Sequence, residues 1–216
     1  MSVGMGLIGA GVWGELHGRT YQNSKIANFV AVCDLIPERA AALAAKYGAK
    51  RVYTDYNEML KDPEIDAVAV VTPDFAHKAP VIAAAKAGKH ILVEKPMATS
   101  LADAMEMKDA AQKSGVILMP DFHNRWNPCF ITALESIEDG ALGEPKYLYI
   151  RHSNTKYVPF KMLNWSSKSN VLWFLGAHSC DLARFVLKSD AVKAYTVSRK
   201  GVLQKAGIDI PDFFIT

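Results

Sequence analysis

Three groups of residues in this sequence have the type and spacing to do chemistry. The first is Gly9-Ala10-Gly11-Val12-Trp13-Gly14, which follows an apolar run, Val3 to Ile8, and leads into a helix-like segment. The order strand, glycine turn, helix builds a pyrophosphate cradle. Gly9 permits the tight turn, Gly11 lets a phosphate approach the backbone, and Gly14 allows helix and strand to pack closely. The new helix adds unpaired N–H groups and the positive end of its dipole. The hexamer alone is a weak signal. A second feature strengthens it: the apolar run Phe29 to Cys33 ends in Asp34, 20 residues after Gly14. A carboxylate at that point suits the adenosine ribose hydroxyls. Its charge repels a 2′-phosphate and no arginine immediately follows, so NAD is favoured over NADP. Gly9, Gly11, Val12, Trp13, Gly14 and Asp34 are the first candidate cofactor contacts.

The second group is Glu94-Lys95-Pro96, directly after the short apolar strand His90 to Val93. A lysine at such a strand end has two readings. Partly desolvated beside a nicotinamide, it has a lowered pKa and exchanges a proton with a substrate hydroxyl. Otherwise it is an exposed turn lysine. The third group is a scatter of side chains with open roles. His17 touches the cofactor side of the glycine loop or simply packs. Arg39 covers an adenine ring or is an exposed helix arginine.

These residues need elements to position them. After the first helix, Pro37-Glu38-Arg39 opens an alanine-rich helix that Gly48 ends. Asp55-x-x-Glu58 reads as a capping box. Asp66 to Val71 is a continuous apolar run of the kind buried on both faces of a parallel sheet, and it ends in Thr72-Pro73-Asp74-Phe75-Ala76-His77. A helix capped by Ser100 and a strand from Val116 to Met119 follow. The β-α-β-α alternation predicts an α/β fold, a doubly wound parallel sheet with helices on both faces. Ligands of such sheets bind beyond the carboxyl ends of the strands. That rim collects Gly9, Asp34, Thr72 with Pro73 and His77, and Glu94 with Lys95, which completes the candidate cofactor set in this half.

Composition sets limits. The chain has 216 residues, 50% hydrophobic and 22% charged, with a net charge of +3. That is one large domain or two small ones with ample apolar material for a core. No basic run points to nucleic acid. The opening residues lack the charged region of a signal peptide, and the apolar run there is too short to cross a membrane. Cys33, Cys129 and Cys180 are unclustered, which argues for reduced thiols in a cytoplasm, with no disulfide framework and no metal site.

Several motifs in order carry a resemblance to a family: Gly9 to Gly14 with His17 beyond, Asp34, Thr72-Pro73-Asp74-x-x-His77, Glu94-Lys95-Pro96, Phe122-x-x-Arg125-Trp126-x-Pro128, and Gly176-x-His178-x-x-Asp181. The chain resembles the Gfo/Idh/MocA oxidoreductases, which include glucose–fructose and inositol dehydrogenases. The resemblance implies a Rossmann domain over 1–120, then a partial α+β substrate and oligomerisation domain over 121–216 with a mostly antiparallel sheet. It implies that Lys95 is catalytic and cofactor-contacting, with Pro96 often cis. His123 stands where the family commonly has an asparagine near the nicotinamide; it either hydrogen-bonds cofactor or substrate, or is a linker histidine. The family pairs an aspartate with a histidine four residues later, facing the substrate carbon. His178 matches the histidine, but Phe174 replaces the aspartate. Asp181 is read as part of the helix structure.

In the second half, Lys146 to His152 alternates like a strand. The polar stretch Ser153 to Ser169, with Trp165, is placed over the substrate, and Leu172 to Leu187 reads as an apolar helix. Ala191 to Ser198 reads as a strand and Phe213 to Thr216 as the start of another. Too few strands are present to complete a sheet face, so the chain is expected to be C-terminally truncated, the full-length form being a homo-oligomer. The resulting expectation is an NAD-dependent oxidoreductase acting on a sugar, inositol or related polyhydroxy substrate, through Lys95 and His178 with Trp165 at the substrate. The alternatives are an NAD-binding regulator without turnover and an NAD-using glycosidase.

Overall fold

The computed structural model describes residues 2–216 and contains two compact units, one ending at Asp121 and one spanning Phe122–Thr216. The first unit has a six-stranded sheet in the order β3-β2-β1-β4-β5-β6. Its strands are β1 (Val3–Ile8), β2 (Ala27–Cys33), β3 (Arg51–Tyr53), β4 (Ala67–Val70), β5 (His90–Glu94) and β6 (Leu118–Asp121). Every neighbouring pair is parallel. Between them run α1 (Val12–Asn23), α2 (Pro37–Tyr47), α3 (Tyr56–Met59), α4 (Lys78–Lys86) and α5 (Leu101–Ser114). The order reverses between β1 and β4, so the crevice where such sheets take ligands lies at the carboxyl ends of these two strands.

Strand period explains the core. Successive residues point to opposite faces, and both faces are covered. Leu7, Phe29, Val32 and Ala69 pack with Tyr21 of α1 and Leu43 of α2. Ile8, Val30, Val68, Val70 and Ile91 pack with Val81 of α4 and Met107 of α5. Helix ends follow local chemistry. Gly48 closes α2 in the left-handed region at φ 77°, and the Ser100 hydroxyl accepts from the Asp103 N–H at 3.1 Å to start α5. The Asp55 box is only half formed. Asp55 accepts from the Asn57 N–H at 2.8 Å, whereas Glu58 pairs with Lys61 at 2.6 Å rather than folding back on the cap.

One strand is added to the expected set and one is shifted. Strand β3, three residues long, carries no sequence signal strong enough to mark it. The strand read as Val116 to Met119 lies at Leu118–Asp121, which makes Asp121 a strand-end residue.

The second unit holds α6 (Pro128–Glu138), α7 (Ala177–Leu187), α8 (Val202–Lys205) and an antiparallel pair, β7 (Val197–Arg199) with β8 (Phe213–Ile215). Lys146 to His152 is not a strand. It alternates, but no strand among the described residues pairs with it, and Tyr147 and Tyr149 are exposed. Of Ala191 to Ser198, only the end pairs, as the start of β7. Ser153 to Ser169 is partly helical rather than open loop, with turns at Val158–Met162 and Ser166–Lys168, and the Ser166 hydroxyl donates to the Pro159 carbonyl at 2.8 Å. The apolar helix expected from Leu172 begins with a wide turn, Leu172–Gly176, before regular α7. Asp181 anchors α7: its side chain is 4% exposed and takes Arg125 in two parallel bonds, Nε at 2.9 Å and Nη2 at 2.5 Å.

Candidate dinucleotide and proton-transfer site

The glycine turn has the geometry its spacing predicts. Gly9 sits at φ 111°, where an added Cβ would also lie 2.8 Å from the Val71 carbonyl oxygen. A Cβ on Gly14 would lie 2.4 Å from the Gly9 carbonyl oxygen, so the helix start and the strand end touch through bare backbone. A Cβ on Gly11 would meet nothing within 4 Å. Gly11 is the N-cap of α1 and supplies no side-chain cap to the first turn, where Val12, Trp13 and Gly14 stand. Helix N–H groups bordering open space are what an anion requires. The residues present therefore fit a pyrophosphate.

Asp34 lies beside this turn. Its Oδ2 accepts from the Ala10 N–H at 2.7 Å and its Oδ1 from the Ile36 N–H at 2.9 Å. The carboxylate thus ties the glycine loop to the start of α2. A carboxylate has about four acceptor sites, so both oxygens retain capacity for ribose hydroxyls. Arg39 is exposed on the first turn of α2. Leu35, 88% exposed directly after Asp34, is a residue the sequence reading missed. An apolar side chain left in water beside the Asp34 carboxylate offers a surface on which a flat ring could pack. The signal was the Leu35-Ile36 pair between Asp34 and Pro37.

At the end of β4, Thr72 and Pro73 are half-buried, and Thr72 Oγ1 is buried without a hydrogen-bond partner among the described residues. His77 requires a correction. It is 1% exposed, with Nδ1 3.0 Å from the Pro96 carbonyl and Nε2 2.9 Å from the Thr72 carbonyl. Both ring nitrogens are engaged by backbone, so His77 positions the Thr72 and Pro96 turns and has no nitrogen left for a cofactor. Burial pulls its pKa down, against the raising effect of those carbonyls.

Lys95 is 4% exposed at the end of β5, which removes the exposed-turn reading. Burial lowers its pKa from the ordinary lysine value, while Glu94, Asp74 and Asp121 act in the opposite sense. The Lys95–Pro96 peptide is cis. Glu94 is buried, and its Oε2 accepts from the Lys95 N–H at 3.2 Å. Its Oε1 lies 3.4 Å from His17 Nε2, and Asp121 Oδ2 lies 3.7 Å from the same nitrogen. His17, Glu94 and Asp121 each offer a ligand atom, all within 4.8 Å of one another. Sequence reasoning did not join these three; only the i, i+4 pair His17 and Tyr21 is legible locally.

In the second unit, His178 stands on the first turn of α7 and is 7% exposed. The rings of His123 and His178 meet edge to face at 4.8 Å, and His152 is 6.1 Å from His178. His152 Nδ1 is held on the Ser179 hydroxyl at 2.9 Å. Trp165 is half-buried, and Phe174 lies in the wide turn before α7.

A parallel sheet of this order, with an open glycine turn and a carboxylate ending β2, defines a dinucleotide-binding α/β protein. Residues 3–122 match the family described as the oxidoreductase family with an NAD-binding Rossmann fold, and the chain belongs to this family, Gfo/Idh/MocA. It is 32% identical over 185 residues to 1,5-anhydro-D-fructose reductase of Ensifer adhaerens, covering 83% of this chain and 55% of that protein. It is 30% identical over 191 residues to myo-inositol 2-dehydrogenase of Thermotoga maritima, covering 88% and 57%. Among solved structures, an oxidoreductase from Agrobacterium radiobacter in complex with NAD+, L-tartaric acid and magnesium superposes with a TM-score of 0.82 at 25% identity, covering 93% of this chain and 59% of that one. The chain thus spans little more than half the length of these relatives. Among the described residues, no helix is long and apolar enough to cross a membrane.

Proposed function

We propose that this chain is the cofactor-binding part of an NAD-dependent dehydrogenase that oxidises a secondary alcohol of a sugar, inositol or related polyhydroxy compound. The observation that carries this reading is a buried lysine on the same rim as the open glycine turn. Gly9, Gly11, Val12, Trp13 and Gly14 hold the pyrophosphate, Asp34 the adenosine ribose, and Thr72, Pro73 and Glu94 line the rim beyond. When bound, the nicotinamide supplies hydride acceptance or donation at its ring carbon. Lys95 moves the hydroxyl proton at its Nζ. Its burial makes the neutral amine accessible at lower pH than for a lysine in water, and the neighbouring carboxylates hold the ammonium once formed. His178, with His123 beside it, is assigned to the substrate hydroxyl, and Trp165 to the substrate. The names of the relatives, a reductase of an anhydro sugar and an inositol dehydrogenase, support this substrate class.

The test is NAD reduction across a panel of sugars, inositols and amino polyols. Turnover with one of them, reduced about 10²–10⁴-fold in Lys95→Ala, is the expected result. The family resemblance also favours a second reading, because it places Phe174 where the family carries its aspartate. If NAD binds and no substrate yields NADH, the readings as an NAD-binding regulator or an NAD-using glycosidase move ahead.

A further inference from the structure

His17 is not required by the pyrophosphate cradle, yet its surroundings are built. It sits one turn and a half into α1, the helix whose start borders the open space at Gly11. Its Nδ1 lies 3.1 Å from the Tyr21 hydroxyl, and its Nε2 faces Glu94 Oε1 at 3.4 Å and Asp121 Oδ2 at 3.7 Å. Tyr21 is itself buried and packed edge to face on Phe29 at 5.4 Å. The partners fix the tautomer. Carboxylates only accept, so Nε2 carries the hydrogen toward Glu94 and Asp121. Nδ1 then accepts from the Tyr21 hydroxyl, whose burial and whose neighbours Asp121 and Glu94 keep it protonated. Glu94 passes the restraint on, because its other oxygen accepts from the Lys95 N–H at 3.2 Å.

We propose that His17 is a positioning residue for the nicotinamide end of the cofactor: through Glu94 it ties the corner of β5 that carries Lys95 to the helix that takes the pyrophosphate. The inference rests on the dinucleotide reading above. Three elements meet at one imidazole. Helix α1 contributes His17 and Tyr21, β5 contributes Glu94, and β6 contributes Asp121, the partner of Glu94 in the ladder. A ligand seated at the start of α1 is thereby coupled to the corner where the proton-transferring lysine stands. The contacts of the adenosine half, at Asp34 and Gly11, do not pass through His17.

The test separates the two halves of the cofactor without any substrate. NADH and ADP-ribose, which lacks the nicotinamide, are titrated into the wild type, His17→Leu and His17→Gln, with NADH fluorescence followed in parallel. His17→Leu is expected to bind ADP-ribose within about twofold of wild type, and NADH about tenfold more weakly with reduced fluorescence enhancement, a difference of about 1.4 kcal/mol. His17→Gln, whose amide can still donate to Glu94, restores most of both. Parallel weakening of the two ligands in His17→Leu makes the residue merely part of the helix packing and overturns the proposal, as does unchanged binding of both. Equal loss in His17→Gln and His17→Leu overturns it too. If the wild type binds neither ligand, the dinucleotide reading itself fails, a result distinct from the others.

Discussion

Replacing Asp34 by alanine is expected to perturb both fold and cofactor choice through one carboxylate. Asp34 accepts from the Ala10 N–H at 2.7 Å and from the Ile36 N–H at 2.9 Å. Hydrogen bonds to a charged group contribute about 1.5–3 kcal/mol each. Ile36 is exposed, so water replaces most of its bond; Ala10 is half-buried and replaces less. The expected loss is about 2 kcal/mol, mostly from Ala10, which for a chain of this size lowers Tm by roughly 4–8 °C. The same carboxylate is expected to set cofactor preference. A unit charge about 6 Å away at an effective dielectric of about 40 costs about 1.4 kcal/mol. A 2′-phosphate is therefore expected to weaken binding at least about tenfold in the wild type. Asp34→Ala is expected to bind NAD more weakly, to lose its discrimination against NADP, and to melt earlier. Thermal unfolding by circular dichroism and titrations with both cofactors read all three. An unchanged Tm would show that the loop is not held by this carboxylate. Equal NAD and NADP affinities in the wild type, or a preference that survives in Asp34→Ala, would refute the electrostatic reasoning.

The two inner glycines separate packing from binding. Gly14→Ala places a Cβ 2.4 Å from a backbone oxygen and is expected to cost about 1–3 kcal/mol of stability, whereas Gly11→Ala opens into free space and is expected to leave Tm unchanged while abolishing NAD binding; identical Tm values for the two would contradict this. Lys95 carries a pH signature. Its folded pKa lies below the unfolded value of about 10.4, so the unfolded state holds more protons in the window between them, and stability rises with pH there. Lys95→Met, which cannot titrate, should be more stable than wild type at pH 7, by a margin that narrows toward pH 10; denaturant titrations at several pH values check it, and a constant margin would sink it. Arg125→Met strands the buried Asp181 carboxylate and is expected to destabilise the second unit by about 1–3 kcal/mol, less than for a fully buried pair because Arg125 is 40% exposed; urea unfolding followed by tryptophan fluorescence measures it.

The parts of the site that were legible in the sequence are those set by local geometry. Gly9, Gly14 and Asp34 could be placed because a strand, a turn and a helix of fixed dimensions put them there. The apolar run before Thr72 announced a strand covered on both faces, as the packing of Val68, Ala69 and Val70 shows. What depends on distant chain was not legible. The burial of Lys95 could not be read from Glu94-Lys95-Pro96, since an exposed turn has the same local pattern. His77 looked like a ligand-facing histidine, yet its ring is turned to two carbonyls, one of them 19 residues away. His17 finds Glu94 across 77 residues of sequence. Lys146 to His152 shows the converse: alternation is a property of the segment, but a strand needs a neighbour to pair with.

The register of β5 against β6 decides which charges surround the buried lysine. Desolvation opposes an ammonium at Lys95, and the carboxylates that offset it are Glu94 first, then Asp74 and Asp121. Glu94 and Asp121 are direct partners in the parallel ladder, which puts both side chains on one face. Strand residues alternate between faces, so a slip of one position would move Asp121 to the opposite side of the sheet. The partners Ile91↔Leu118 and Leu92↔Met119 hold that register from below. A strand ending at Met119, as the sequence alone suggests, would leave Asp121 outside the ladder, with nothing to fix it opposite Glu94. The two residues by which β6 extends beyond that expectation are therefore the ones that connect the apolar layer of the sheet to the charge around Lys95 and to the imidazole of His17.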